Sequence, residues 1–399
     1  MTDLLAEKAA QAAGILGELD LDVWLTFVRE TSQSSDPALA LIYGSATLTW
    51  QSALLLAKTG ERIAIVGHFD AETARRTGVW TDVVPYHESI REPLRAALDR
   101  LAPRRIAINT SLHDVAADGL THGMYRLLLD LLAGSPYAER LESAEEVLGA
   151  LRGRKTPEEV RRLRGAIATS DRILAHVIAA LRPGMTELEA AELAHERMRE
   201  EGVEAAWDYD GCPIVNFGPD SVVGHAAPSA IALQPGMIAH FDFGVKQEEY
   251  CADLQRVAYL CAPGETEAPE PVRRAFATII RAIEAAVAEM RPGRTGIEID
   301  AVARGVVTAG GYEEYKYGTG HHLGRNAHDG AGILGPAWER YGTAPHRRLE
   351  AGHVYTVEPG VAVPGSGYVG IEEDVLVTEG GGVYLGKPQR RLIMLKSGG

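Results

Sequence analysis

At 399 residues, with 55 acidic against 40 basic side chains and a formal net charge of −15, the chain is long enough for two domains and carries the wrong sign of charge for a nucleic-acid or anionic-membrane partner. Three cysteines, Cys212, Cys251 and Cys261, are too few and too scattered for a disulfide framework or a cysteine metal site. No run approaches the roughly 18 apolar residues that read as a membrane span, and the N-terminus MTDLLAEKAAQAAGIL lacks the basic and apolar regions of a signal peptide. A soluble protein in a reducing, cytoplasmic setting is expected.

From Asp22 to about Asp130, apolar runs predict strands at Val23–Val28, Ser52–Ala57, Arg62–Val66 and Arg105–Asn109. Helical patterns fall near Glu88–Arg100 and Gly119–Leu132, and Lys58-Thr59-Gly60-Glu61 reads as a hairpin turn. This is the pattern of a small α/β domain spanning 1–150, in which His68, His87, His113 and His122 share no metal-like spacing. A second domain, 151–399, is expected to begin at Thr156-Pro157-Glu158-Glu159, an N-cap, a first-turn proline and a capping-box glutamate.

This second part repeats itself. LRPGMTELEAAE from Leu181 aligns with MRPGRTGIEIDA from Met290, each a helix end, a turn and a new helix with a Thr-x-x-Glu capping box, Thr186 with Glu189 and Thr295 with Glu298. Preceding them are helices at Pro157–Leu181 and Pro271–Met290, the latter with Val272, Phe276, Ile279, Ile280, Ile283, Val287 and Met290 on an inward stripe. LQPGMIAHFDFG from Leu233 superposes on LEAGHVYTVEPG from Leu349, so that Asp242 falls on Glu358. The first copy reads as two strands, Met237–Phe243 and Gln255–Leu260, with the turn within Val245–Glu249. A second acid follows in each copy, Asp253 in one and Glu372 in the other.

Two helix-plus-hairpin units related by a pseudo-twofold axis would bring equivalent strand positions together. Four carboxylates would then converge, which is tolerable only with cations among them, and an oxygen-rich set with an imidazole added suits divalent metals. Taken singly, each acid could equally cap a turn or pair with Arg256. From Gly318 to Gly330 the chain reads GTGHHLGRNAHDG, where glycines allow close backbone approach and two imidazoles seven residues apart suit a metal ligand and a proton carrier. A flexible surface loop with incidental histidines is the competing interpretation. Gly365, Gly367 and Gly370 have GxGxxG spacing but precede a strand-like run, so they do not form a dinucleotide site.

The order Asp242, Asp253, His321, Glu358, Glu372 resembles the five metal ligands of the pita-bread metallopeptidases, the family of methionine aminopeptidase, aminopeptidase P and prolidase. Gly318-Thr-Gly-His321, Thr356-Val-Glu358-Pro-Gly and Ile371-Glu372-Glu373-Asp374 are similar to its ligand motifs, and the extra N-terminal domain is similar to that of the proline peptidases and creatinase. The resemblance implies an α+β fold, a duplicated pita-bread domain with a curved antiparallel sheet behind an α/β creatinase-like domain. It also implies two divalent metal ions (Mn, Co or Zn) bridged by Asp253 and Glu372, with Asp242 on one and His321 and Glu358 on the other. The implied activity is hydrolysis of the Xaa-Pro bond of a peptide substrate by a metal-bridging hydroxide. Glu358 would accept the water proton, while His225 and His328 would bind substrate and move protons. A homodimer is the expected assembly.

Two departures bear on substrate. Xaa-Pro members usually carry an arginine where this chain has Gly370, and Thr-Arg where it has Gln255-Arg256. Arg325 is a candidate substitute charge. The departures keep open a metallohydrolase or lyase of the same fold acting on a small non-peptide substrate, and a metal-free binding protein is the remaining alternative.

Overall fold

Alternation of buried side chains on the two faces of one sheet organises the first of two units into which the chain divides, Met1–Arg152 and Gly153–Gly399. The structure is a computed structural model that describes residues 2–224, 226–330 and 332–396. In the first unit six strands run in the spatial order Asp82–Tyr86, Arg62–Gly67, Ser52–Ala57, Val23–Val28, Ile106–Ile108, Leu141–Ser143. The three central strands pair antiparallel, and the outer pairings are parallel. Leu25, Phe27, Leu55, Ile63 and Ile65 face helices Arg91–Leu101 and His122–Leu132, whereas Trp24, Val28, Leu54, Leu56 and Val66 face helices Thr2–Glu18 and Glu145–Gly153. Coverage on both faces is why these strands read as unbroken apolar runs. Two strands escaped the sequence pattern: Asp82–Tyr86, an edge strand containing Pro85, and Leu141–Ser143, only three residues long.

The second unit shows its repetition in its caps. Thr186 and Thr295 each take the capping-box hydrogen bond from backbone nitrogen to the glutamate three residues on, Glu189 and Glu298, at 2.7 Å in both copies. Each box opens a helix, Glu187–Glu201 or Gly296–Ala309, and each follows a long one, Pro157–Ala180 or Glu270–Glu289. The latter buries Val272, Phe276, Ile279, Ile283 and Val287 against strands of the second copy, and Ile280 lies at the edge of that cluster.

Strand Ile238–Phe243 pairs antiparallel with Leu254–Leu260, and Val354–Val357 with Glu373–Thr378. What the sequence presents as one turn after Phe243 is a further hairpin, Val245–Gln247 with Tyr250–Cys251, that swings out to pair with Glu204–Ala205. At its tip Glu248 and Glu249 both take positive φ, 47° and 69°, unusual for non-glycine residues. Glu248 is held there by Arg161 and Arg162, and Glu249 by Arg325. The second copy makes the same excursion as hairpin Gly360–Val363 with Gly367–Gly370, which uses the glycines of the GxGxxG spacing and opens no helix. A bridge between Gln255 and Glu372 joins the two copies, and the C-terminal strand Ile393–Leu395 adds parallel to Leu254–Leu260. Among the described residues no helix is long and apolar enough to cross a membrane.

Ile279 is fully buried in the core of this unit. Ile279→Ala should destabilise it by about 2–5 kcal/mol through lost transfer energy and a residual cavity, read as a lower urea midpoint of its unfolding transition.

Candidate metal centre

Strand register sets up the acidic face. Asp242 lies directly opposite Gln255, and His240, two residues earlier on the same strand face, lies opposite both Asn216 and Val257. Asp253 sits just before the return strand, its backbone nitrogen donating to Asp374 Oδ2 at 3.3 Å. Glu358 and Glu372 occupy the corresponding positions of the second copy, at the end of one strand and the start of the next.

His321 reaches them because its segment packs very closely against Val354–Val357. A Cβ on Gly320 would lie 1.9 Å from the carbonyl oxygen of Thr356, so only glycine permits this approach. The segment is tied by Glu358 N donating to Thr319 O and by Thr319 Oγ1 donating to Asp300, whose carboxylate is paired with Arg304. Arg304 also donates to the carbonyls of Tyr315 and Tyr317, so one buried ion pair fixes the whole approach to His321.

His321 Nδ1 donates to the carbonyl of His322 at 3.2 Å, which leaves Nε2 as the electron-pair donor. That nitrogen lies 3.5 Å from Glu358 Oε1, 3.7 Å from Asp253 Oδ2 and 4.0 Å from Glu372 Oε1. Two donors each about 2.1 Å from one ion stand roughly 3–4 Å apart, so these separations suit ligands of a shared cation. One ligand atom each from Asp253, His321 and Glu372 lies within 4.8 Å of the others.

The electrostatics point the same way. Burial, aided for Glu358 by the charge of Asp242, raises Asp242 to about 7 and Glu358 to about 8. Burial together with mutual repulsion pushes Asp253 and Glu372 well above the usual carboxylate range. Asp242 Oδ1 and Glu372 Oε1 are buried with no hydrogen-bond partner among the described residues. Buried acceptors of this kind are costly unless something positive faces them. Two divalent cations carry as much positive charge as four ionised carboxylates carry negative, and the donor set of four carboxylates and one imidazole fits such ions.

The structure therefore brings Asp253, His321, Glu358 and Glu372 together and sets Asp242 beside them, opposite Gln255 and close enough to act on Asp253 and Glu358. His328 is exposed, its ring edge-on to His321 at 4.1 Å between centroids. His225 lies outside the described residues. His322 is buried away from the acids, against His353 and Tyr355. Arg325 donates to Glu249 and lies over Tyr250, so its guanidinium is committed to the outer hairpin. Arg256 pairs with Asp171 and Glu373, not with Asp242 or Asp253.

Four residues around the acids were not singled out from sequence: Asn216, His240, Tyr317 and Tyr368. His240 contacts Asn216 Oδ1 and Gln255 Oε1, each at 3.0 Å, and Tyr317 and Tyr368 join hydroxyls at 2.6 Å. The only signal in the sequence was parity, since His240 stands two residues before Asp242 and Tyr368 two before Gly370.

The profile of metallopeptidase family M24 matches residues 161–379, more than half of the chain. The chain belongs to metallopeptidase family M24. It is 30% identical over 332 residues to YkvY of Bacillus subtilis (strain 168), covering 82% of this chain and 84% of that protein. It is 27% identical over 332 residues to the Xaa-Pro dipeptidase of Lactobacillus helveticus, with the same coverage. The crystal structure of dipeptidase PepE from Mycobacterium ulcerans, 26% identical, superposes with a TM-score of 0.75 over 99% of both chains. Membership bears out the resemblance and the α+β pita-bread fold with its additional N-terminal α/β part, and it implies divalent metal cofactors.

A carboxyl group whose pKa is raised on folding contributes stability at low pH that is lost as pH climbs from its unfolded value through its folded one. For Asp242 and Glu358 that window runs from about pH 4 to about pH 8. The thermal midpoint of metal-stripped protein should accordingly fall between about pH 5 and about pH 8, and Mn²⁺ should raise it more at the upper end. A midpoint that climbs with pH without metal would contradict this electrostatic account.

Proposed function

We propose that this metallopeptidase is a two-metal hydrolase that cuts the Xaa-Pro bond of dipeptides or short peptides. The observation that carries the reading is the convergence of Asp253, Glu358 and Glu372 on the lone-pair nitrogen of His321, within 3.5–4.0 Å, beside unpartnered buried oxygens of Asp242 and Glu372. Similarity to the Xaa-Pro dipeptidase of Lactobacillus helveticus supports the substrate class.

In this reading Asp242, Asp253, His321, Glu358 and Glu372 would hold the ions. When bound, such ions supply Lewis acidity and lower the pKa of water toward neutrality. The remaining work falls to the chain. The His322 carbonyl holds the Nδ1 proton of His321, so that Nε2 remains a donor to metal. A Glu358 oxygen takes the proton released from the attacking water, its basicity raised by burial and by Asp242. His328, at the exposed edge of His321, and His225 deliver protons to the leaving nitrogen and orient the substrate. A homodimer, a cytoplasmic location and a division of labour between residues 1–150 and 151–399, with chemistry in the latter, belong to the same proposal.

One observation favours a second reading, a small non-peptide substrate on the same scaffold. The wall at Gly370 is built from uncharged groups, Gln255, His240 and Tyr368, where an arginine would clamp a carboxylate or carbonyl.

Proline release from Xaa-Pro dipeptides and Xaa-Pro-Yaa tripeptides by Mn²⁺-loaded protein separates the two. Asp253→Asn should abolish most of this release, since it removes one of the carboxylates that would hold the ions. Absence of proline release from metal-loaded wild type would remove the Xaa-Pro reading in favour of the second.

A further inference from the structure

Gln255 stands where the two copies of the duplication meet, and both ends of its carboxamide are engaged. Nε2 donates to Glu372 Oε2 at 3.0 Å and to Glu358 Oε2 at 3.3 Å, using both of its hydrogens on carboxylates of the second copy. Oε1 is left facing His240 Nε2 at 3.0 Å. The other ring nitrogen, Nδ1, faces Asn216 Oδ1, also at 3.0 Å. Since the Gln255 nitrogen is taken by two acceptors, its oxygen requires a donor, and Nε2 of His240 supplies it. His240 is in turn fixed by strand pairing with Asn216 and by the edge of the Tyr368 ring, 5.3 Å away between centroids.

Gly370 makes room for this arrangement. A Cβ built there would lie 2.5 Å from Gln255 Oε1, 2.8 Å from His240 Nε2 and 2.8 Å from the Tyr368 ring. Every one of these atoms belongs to a side chain held by neighbours, so any residue larger than glycine displaces the His240–Gln255 contact. The glycine and the glutamine are therefore one device: the carboxamide occupies the space that the missing side chain vacates.

We propose that His240 and Gln255 are positioning residues that set the spacing of Glu358 and Glu372, and that Gly370 is glycine because their relay fills its place. This rests on the metal-binding reading above and adds which residues tune it. A carboxamide tied on both hydrogens holds two like-charged oxygens in fixed relation while leaving Glu358 Oε1 and Glu372 Oε1 turned toward His321. Hydrogen-bond partners of ligating carboxylates typically alter metal affinity about 10–100-fold when removed.

The test is Mn²⁺ binding by titration calorimetry, with thermal midpoints of the metal-free proteins measured alongside. Gln255→Leu, Gly370→Ala and His240→Ala should each weaken Mn²⁺ binding by about 10–100-fold. His240→Gln, which returns an N–H to the position of Nε2 without an ionisable ring, should restore the affinity. The double variant Gln255→Leu with Gly370→Ala should bind about as weakly as Gln255→Leu alone, because the alanine disturbs the same His240–Gln255 contact that the leucine has already removed. Should Gln255→Leu not fold, Gly370→Ala and His240→Ala carry the same comparison. Wild-type affinity in folded variants whose metal-free midpoints have moved would assign these residues to packing alone and overturn the proposal, as would additive losses in the double variant. Wild-type protein that binds no Mn²⁺ would overturn the metal reading itself, and the relay with it.

Discussion

Four carboxylates held together in a largely desolvated place constrain everything else in the second unit. Each costs several kcal/mol to bury as an isolated ion; burial raises all four carboxyls above their usual range, and repulsion from neighbouring acids adds to this for Asp253, Glu358 and Glu372. A cluster of this kind persists only if the surrounding chain is over-determined and a compensating charge is available. The duplication meets the first condition: each copy contributes one acid at a strand end and another just before the return strand, and pairing within each copy fixes where they point. Cations meet the second.

The seam between copies is narrow and is held from two sides by adjacent residues. Arg256 donates to the backbone carbonyl of Glu372 and to the carboxylate of Glu373, bracing the strand that carries the ligand. On the opposite face Gln255 braces the carboxylates themselves. Strand alternation makes this possible, because neighbouring residues of an extended chain point to opposite faces. One dipeptide thereby fixes both the backbone and the side chain of the second glutamate. The His321 segment is fastened independently, through the Asp300–Arg304 pair and the close approach at Gly320, so the imidazole and the acids are positioned by separate supports.

Much of this was legible in the sequence because the repeated features are local. Capping boxes at Thr156, Thr186 and Thr295 depend on residues three apart, and all three form as the spacing requires. The inward stripe from Val272 to Val287 follows from helical periodicity alone. The equivalence of Asp242 with Glu358 came from alignment of the chain with itself, and it survives as physical proximity. The features that sequence did not reveal depend on pairing at long range. Val245–Gln247 turns back on Tyr250–Cys251 at a tip with no glycine to mark it, and its other partner, Glu204–Ala205, lies some forty residues earlier. Glu248 and Glu249 carry no glycine to announce their left-handed turn, which is enforced instead by arginines from elsewhere. Gly370 read as a loss of charge, whereas its significance lies in the side chains of His240 and Gln255 that pack into its place. Arg325 is near His321 in sequence, yet its guanidinium is drawn to Glu249 and Tyr250.

The central claim, that the acids and His321 hold two divalent ions, is tested most directly by crystals grown with Mn²⁺ and diffraction data collected at its absorption edge. The account predicts two anomalous peaks about 3.5–4 Å apart, one nearer Asp242 and the other nearer His321 and Glu358, with Asp253 and Glu372 between them. A map with no peak among these five side chains, in protein saturated with Mn²⁺, would contradict it.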